Sequence, residues 1–427
     1  MKQILSAILV AAVCLPTLFS CANENASDSD TTAANGATTA SVSDASESTQ
    51  RSDIKDSVPA SLNFNGADFH VLYPDWSAYP LYYWTEEPGG DIMNDALCKR
   101  QLNIEERLGV KFKFTHNSDK TLQDMRTAVA SGIHTYDLAL THYGISVDTF
   151  VAEGYVMPLD ELPYIDFEQP WWNSGAMDSI ALAGKHFLGV SDFIIPDPNA
   201  TFFNKDMVKN YELDDPYQLV RDGKWTYDKM HELGKAVAAD LNNDGKPDIG
   251  DRYGLVTQLD WYFISVPESF GIRYASTEPS TGRIVLTDKV SELQSALEIV
   301  NNLINDKSVT FAYPYGAVKD DQYASPLPLS TGQTLFHFDP LSRAMTYREV
   351  EIDYGILPWP KGTEAQPDYY SFTHAGFMTV PSTTTDFNKT GAVLELLSAE
   401  AYRHVVPAYF NIMLGQKLAR DDDSAEM

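Results

Sequence analysis

GVKFKFTHNSDKTLQDMRTAVASGIHTYDLAL, residues 109–140, changes periodicity twice within one run. Val110-Lys111-Phe112-Lys113-Phe114 alternates apolar and charged residues, the period of a half-buried strand. Residues 122–130 then recur at helical spacing, and Tyr136-Asp137-Leu138-Ala139-Leu140 reads as a second strand. Working outward, Phe69-His70-Val71-Leu72 is a further strand. Asp91 caps a helix to Leu108, with Ile92, Ala96, Leu97, Ile104 and Leu108 at helical spacing and Gly109 as its stop. Alternating strands and helices predict an α/β sheet with crossover helices. Ligands of such sheets gather at the carboxyl ends of strands. Those ends carry Tyr73-Pro74-Asp75-Trp76 and Thr141-His142-Tyr143-Gly144.

The middle third is aromatic and rich in loops, with Trp171-Trp172, Phe202-Phe203, Trp225 and Trp261-Tyr262-Phe263. Two longer helices are expected there, over 227–239 with Thr226 as N-cap, and over 290–304 with Leu293, Leu297, Val300 and Ile304 on one face. The chain shows no internal repeat and no long apolar segment after residue 20.

Lys2 and the apolar run from Ile4 to Phe19 have the form of a secretory signal over 1–20. Leu18-Phe19-Ser20-Cys21 resembles a lipobox, which would make Cys21 the lipid-modified first residue of the mature chain. Residues 21–59, mostly Ser, Thr, Asp, Ala and Asn, hold too little apolar surface to fold and read as a linker. Cys14 would leave with the signal, so Cys98 alone remains and no internal disulfide is expected. Cys98 reads as a structural thiol on the helix that Asp91 opens. The 427 residues, 44% of them hydrophobic and 12% aromatic, allow about two domains after the signal. A formal charge of −29 repels nucleic acid and anionic lipid headgroups and attracts divalent cations.

The sharpest local motif is acidic. From Asp240 to Asp251 the residues Asp240, Asn242, Asp244, Asp248 and Asp251 fall at loop positions 1, 3, 5, 9 and 12, with Gly245 at 6 and the Lys246 carbonyl at 7. This is the spacing by which one short loop wraps hard oxygens around Ca2+. Asp251 stands where a longer Glu is usual, and no second loop follows, so a structural ion is expected rather than a switch. Phosphate-loop, zinc-helix and serine-elbow motifs are absent.

A series of segments in order carries a family likeness. They are Asn103-Ile104-Glu105-Glu106-Arg107-Leu108-Gly109, Tyr136-Asp137-Leu138, Gly154 to Asp160, Gly184-Lys185, and Phe203-Asn204-Lys205-Asp206-Met207. Asp222 to Tyr227, Asp251 to Leu255, Gly332 to Phe336 and Tyr354 to Pro358 complete it. The chain resembles the family 1 extracellular solute-binding lipoproteins of ABC importers, of the Gram-positive sugar-binding kind. The resemblance implies a two-lobe periplasmic-binding-protein type II fold with a central cleft. By similarity to maltose-binding protein, lobe one takes 60–195 plus 374–420, and lobe two takes 196–373 with the acidic loop. The family continues with helices that return to lobe two. This chain, ending at Ser424-Ala425-Glu426-Met427, is expected to lack them.

Sugars present apolar faces ringed by hydroxyls, so their sites want aromatic rings and polar rims. By position in that fold the expected ligand residues are Trp76, His142, Tyr143, Asp197, Trp261, Tyr262, Phe338 and Asp339, with Trp171 and Trp172 as further candidates. No catalytic residue is expected. The implied partners are an oligosaccharide, the permease subunits of an importer and the membrane through Cys21, around a monomer. A lipid-anchored glycosidase, or a binder of peptides or other solutes on the same fold, stays open as an alternative.

Overall fold

The computed structural model describes residues 51–74, 83–85, 89–90, 92–116, 121–142, 147–278, 281–319, 325–347, 350–374, 376–410 and 420–427. Cys21, Trp76 and Tyr143 lie outside them. The strands in chain order are β1 (Ala67–Tyr73), β2 (Val110–His116), β3 (Leu138–His142), β4 (Val156–Met157), β5 (Asp197–Asn204), β6 (Tyr253–Gln258) and β7 (Ala275–Glu278). They continue as β8 (Arg283–Leu286), β9 (Thr310–Tyr313), β10 (Thr334–Pro340), β11 (Tyr354–Leu357), β12 (Thr373–His374) and β13 (Gly376–Pro381). Among the helices, α1 (Ile92–Leu108), α2 (Thr121–Ser131), α3 (Ser174–Ser179), α4 (Tyr227–Val237), α5 (Leu259–Ser269), α6 (Val290–Asn305), α7 (Phe387–Glu400) and α8 (Asp422–Glu426) carry the argument.

The strands form two main sheets, ordered β2-β1-β3-β13-β4 and β11-β5-β10-β6-β9. In the first, β1 runs parallel to β2 and β3, while β13 is antiparallel to β3 and β4. The second repeats the scheme. There β6 runs parallel to β9 and β10, and β5 is antiparallel to β10 and β11. The chain crosses between sheets twice, into β5 and back into β13. The crossing segments pair with each other, Thr373 opposite Pro198 and His374 opposite Asp197.

Each sheet has its own core. Phe69, Val71, Leu138, Leu140, Trp171 and Met378 belong to the first, and Trp225, Tyr227, Leu255, Phe336 and Phe338 to the second. A third cluster joins the lobes: Met93 and Leu97 of α1 gather with Phe202 and Tyr354 of the second sheet and Tyr347 of the short helix between β10 and β11, with Val405 and Tyr409 beyond α7. Lys389 to Glu400 of α7 are buried all round, and the helix continues as a π-helical turn over Ala401–Val405.

Two features differ from the sequence reading. Residues expected to be linker are docked. Asp56 sits between Arg107 (2.7 Å) and Arg403 (3.1 Å), and Val58 is buried. Burial would raise the Asp56 pKa, but the two guanidiniums hold it below its ordinary value. At the other end the chain does return to lobe two, through a short segment. Asp421 caps α8 and bonds Lys205 (2.6 Å) and the Tyr217 hydroxyl (3.0 Å), while Ser424 Oγ accepts from the Ile356 amide. Arg420 donates to the carbonyls of Ile352 and Tyr347, which places it with lobe two rather than lobe one. Among the described residues no helix is long and apolar enough to cross a membrane.

Candidate functional site

The sheet topology builds a cleft floor. Because β5 and β13 each arrive from the other lobe, they run against their neighbours, and their first residues lie at the carboxyl ends of β10 and β3. Gly376 of β13 faces His142, the last residue of β3. Asn199 of β5 faces Pro340, the last residue of β10, so Asp197 lies just past that strand's end. With Asp197 paired to His374, the carboxyl ends of β3 and β10 meet at the hinge. This is where ligands of open α/β sheets sit.

Two carboxylates occupy the second-lobe side. Asp197 accepts from the Ser342 amide (2.9 Å) and the Ser342 hydroxyl (2.7 Å). Burial pushes its pKa up to about 6; the Ser342 bonds oppose that and Asp339 adds to it. Asp339 Oδ2 accepts from the Tyr347 hydroxyl (2.8 Å) and lies 3.2 Å from Nδ1 of the fully buried His337. Arg343 Nε stands 3.9 Å from the other Asp339 oxygen. Carboxylates held this way are fixed acceptors for the hydroxyl hydrogens of a polyol. Sequence reasoning missed Ser342, Tyr347, His337 and Arg343. The available signal was Asp339-Pro340 closing an apolar strand, a pattern that starts a turn and brings the next few residues back onto the strand end.

The aromatic candidates separate. Trp171 and Trp172 lie in the first-lobe core, and their indole N–H groups donate to the carboxylate of buried Glu395 at 3.2 and 2.8 Å. They join each other there, not the hinge. Phe338 points to the other face of β10 from Asp339. It stacks on Trp359 (4.8 Å between centroids) and meets Tyr227 edge-on (6.4 Å), inside the second core. Strand alternation forces this: adjacent residues cannot both face one side. His142 is at the hinge but buried. Trp261 and Tyr262 fall in the first turns of α5, directly after β6; their side chains lie outside the described residues.

The acidic loop lies apart from the hinge, between α4 and β6, its base closed by pairing of Ala239 with Arg252. Its side-chain oxygens accept from the loop's own amides. Asp240 takes Asn243 N (2.7 Å) and Gly245 N (2.8 Å), Asn242 takes Asp244 N (2.9 Å), and Asp244 takes Lys246 N (2.8 Å). Asp248 takes Gly250 N (2.6 Å), and the buried Asp251 takes Leu241 N (3.1 Å) and Asp248 N (3.2 Å). Among the described residues, no three His, Cys, Asp or Glu side chains are gathered as a bound metal requires.

Comparison with known proteins places this architecture. A family model described as bacterial extracellular solute-binding protein matches residues 85–397. Among solved structures, the maltose/maltodextrin-binding domain MalE of Bdellovibrio bacteriovorus, bound to maltotriose, superposes with a TM-score of 0.51 at 14% identity, covering 84% of this chain and 83% of that one. UspC of M. tuberculosis gives 0.54 at 14% identity, with 84% and 87% covered. The GacH receptor of Streptomyces glaucescens, solved unliganded and with acarbose, gives 0.53 at 13% identity, with 84% and 89% covered. No curated protein sequence matches the chain.

Proposed function

Because the chain belongs to the bacterial extracellular solute-binding protein family, we propose that it captures a carbohydrate, an oligosaccharide, between its two lobes and delivers it to the permease of an ABC importer. The observation that carries this is the paired hinge with Asp197 and Asp339 fixed beside it by Ser342 and Tyr347. Neighbours of the same fold bound to maltotriose and acarbose support a saccharide cargo. Closure around the solute selects one arrangement of the lobes, and a permease can read that arrangement. The test is titration calorimetry against neutral oligosaccharides, maltotriose among them, with scattering to follow closure. Asp339→Asn should weaken binding at least about tenfold, the scale of one charge-assisted hydrogen bond, at unchanged melting temperature. No heat and no compaction with any sugar would refute the cargo; released reducing ends would show hydrolysis instead.

Two further parts of the reading concern the chain's ends and its acidic loop. Cys21 is proposed as a lipid anchor, which metabolic labelling with an alkynyl fatty acid tests through Cys21→Ala. The loop is proposed to take one structural Ca2+ through Asp240, Asn242, Asp244, the Lys246 carbonyl, Asp248 and Asp251, whose order supports it. Each carboxylate has lone pairs beyond those that accept the loop amides, so binding would require only that these oxygens converge. Calcium should then raise the melting temperature, chelator should reverse it, and Asp244→Ala should abolish the shift. A melting point indifferent to both reagents would count against the ion.

A further inference from the structure

The hairpin β7–β8 belongs to the second lobe but touches the first. Thr277 Oγ1 donates to the carbonyl of Ser179, the last residue of α3, at 2.7 Å. Close by, Gly282 stands at φ +65°, and a carbon placed on it would lie 3.7 Å from the Gly184 amide nitrogen and 4.0 Å from Ala183 Cα. Ala183 and Gly184 are themselves at positive φ, in a turn closed by Leu182 and Lys185. Two tight turns of small residues, one from each lobe, therefore meet. The contact is interlobar by its roots: Met177 of α3 is in the first core, while the hairpin leaves α5 of the second lobe and returns into α6, tied at its base by Thr287 N to Tyr274 O (2.8 Å).

The hairpin is also lightly packed. All four residues of β8 are exposed, including Ile284, Val285 and Leu286, so it is packed into neither core. Unlike the two strand crossings, its link to the first lobe rests, among the described residues, on one hydrogen bond and a turn-to-turn contact, and a link that small breaks and re-forms readily.

We propose that the β7–β8 hairpin is a breakable interlobe latch, in which Thr277 grips the end of α3 and Gly282 seats on the Ala183–Gly184 turn, so that the latch sets the balance between closed and open lobes. The proposal rests on the cleft reading above. Its test needs no solute, so failure of the latch and failure of the cargo assignment stay distinct. In the full chain with Cys14, Cys21 and Cys98 replaced by serine, spin labels on cysteines at the exposed positions Lys113 and Glu298 report the separation of the lobes. Thr277→Val keeps the shape and removes the donor. It should lower the ratio of short- to long-distance populations about three- to tenfold, as loss of one hydrogen bond implies. In a second variant, Ser179→Cys/Thr277→Cys in the same background, a short bismaleimide should join the two thiols in folded protein, read by mass. A Thr277→Val distance distribution identical to that of the parent overturns the latch. So does a cysteine pair that the reagent fails to join while the protein keeps its near-ultraviolet circular dichroism.

Discussion

Replacing Glu395 by glutamine should change how the stability of this protein depends on pH. Glu395 lies on α7 with no exposed surface, and its oxygens receive the indoles of Trp171 and Trp172 and the amide of Asp166. Burial pushes its pKa from the ordinary 4.5 up to about 7, although the three donors work against the rise. Below about pH 4.5 the carboxyl is protonated in folded and unfolded chains alike, and its contribution to stability is fully present. As pH climbs toward 7 the unfolded chain gives up the proton and the folded one keeps it, so stability falls. Above the folded value nothing more is lost. At about 1.36 kcal/mol per pH unit between the two values, the whole change is on the order of 3 kcal/mol. Glu395→Gln keeps the shape and one acceptor but does not titrate. Urea unfolding followed by tryptophan fluorescence, from about pH 4.5 to about pH 8, should therefore show the wild type losing on the order of 3 kcal/mol relative to the variant across that window. Asp192, Asp197 and Glu268, also raised by burial, are present in both proteins and cancel in the difference. Parallel curves for the two proteins would refute the reasoning and mean that Glu395 is ionised in the folded core.

Two other substitutions probe the packing that positions the cleft. Gly254→Ala in β6 would place a methyl carbon 2.3 Å from Gly234 Cα and 2.8 Å from Gly234 O on α4, so helix and strand must part. The cost should be about 3 kcal/mol in urea unfolding, and a loss under about 1 kcal/mol would show that α4 yields freely. Asp421→Ala removes the cap of α8 together with its bonds to Lys205 and Tyr217. It should cost about 2 kcal/mol and speed amide exchange over 420–427, and unchanged exchange there would mean that the terminal segment is held by other contacts.

What the sequence could reveal follows from how one-sided each element is. The periodic elements β1, β2, α1, α4 and α6 each show water one face, and their patterns were readable. Thr226 caps α4 as expected, its hydroxyl accepting from Lys229 N at 3.2 Å. Helix α7 was unreadable because burial on every side leaves no stripe, and its polar residues serve interior partners. Ser398 meets Ser191 at 2.8 Å and Lys389 reaches the Asp68 carbonyl at 2.7 Å. The same limit explains the candidate site. Asp197 and Asp339 could be nominated only from their positions in the resembled fold, Asp197 at the crossing and Asp339 in the second lobe. Trp171, Trp172 and Phe338 could not be judged, since a large ring satisfies a core as well as a cleft. For Ser342 and Tyr347 the sequence offered only the turn signal of Asp339-Pro340, which does not say which residues the turn brings back.

The hinge carries the functional argument further than any aromatic residue does. The sequence holds no repeat, yet both sheets place an incoming strand antiparallel between the third strand and the edge: β13 between β3 and β4, β5 between β10 and β11. That arrangement follows from crossing. A strand that enters from the other lobe starts at the cleft, whereas its neighbours end there. Each lobe therefore contributes both strand beginnings and strand ends to one floor, and the two crossings lie near enough to pair through Thr373 and Pro198. Opening such a body requires rotation about this short ribbon. Contacts beside the ribbon then set how readily the lobes part, and Asp197, paired with His374, is part of the ribbon itself.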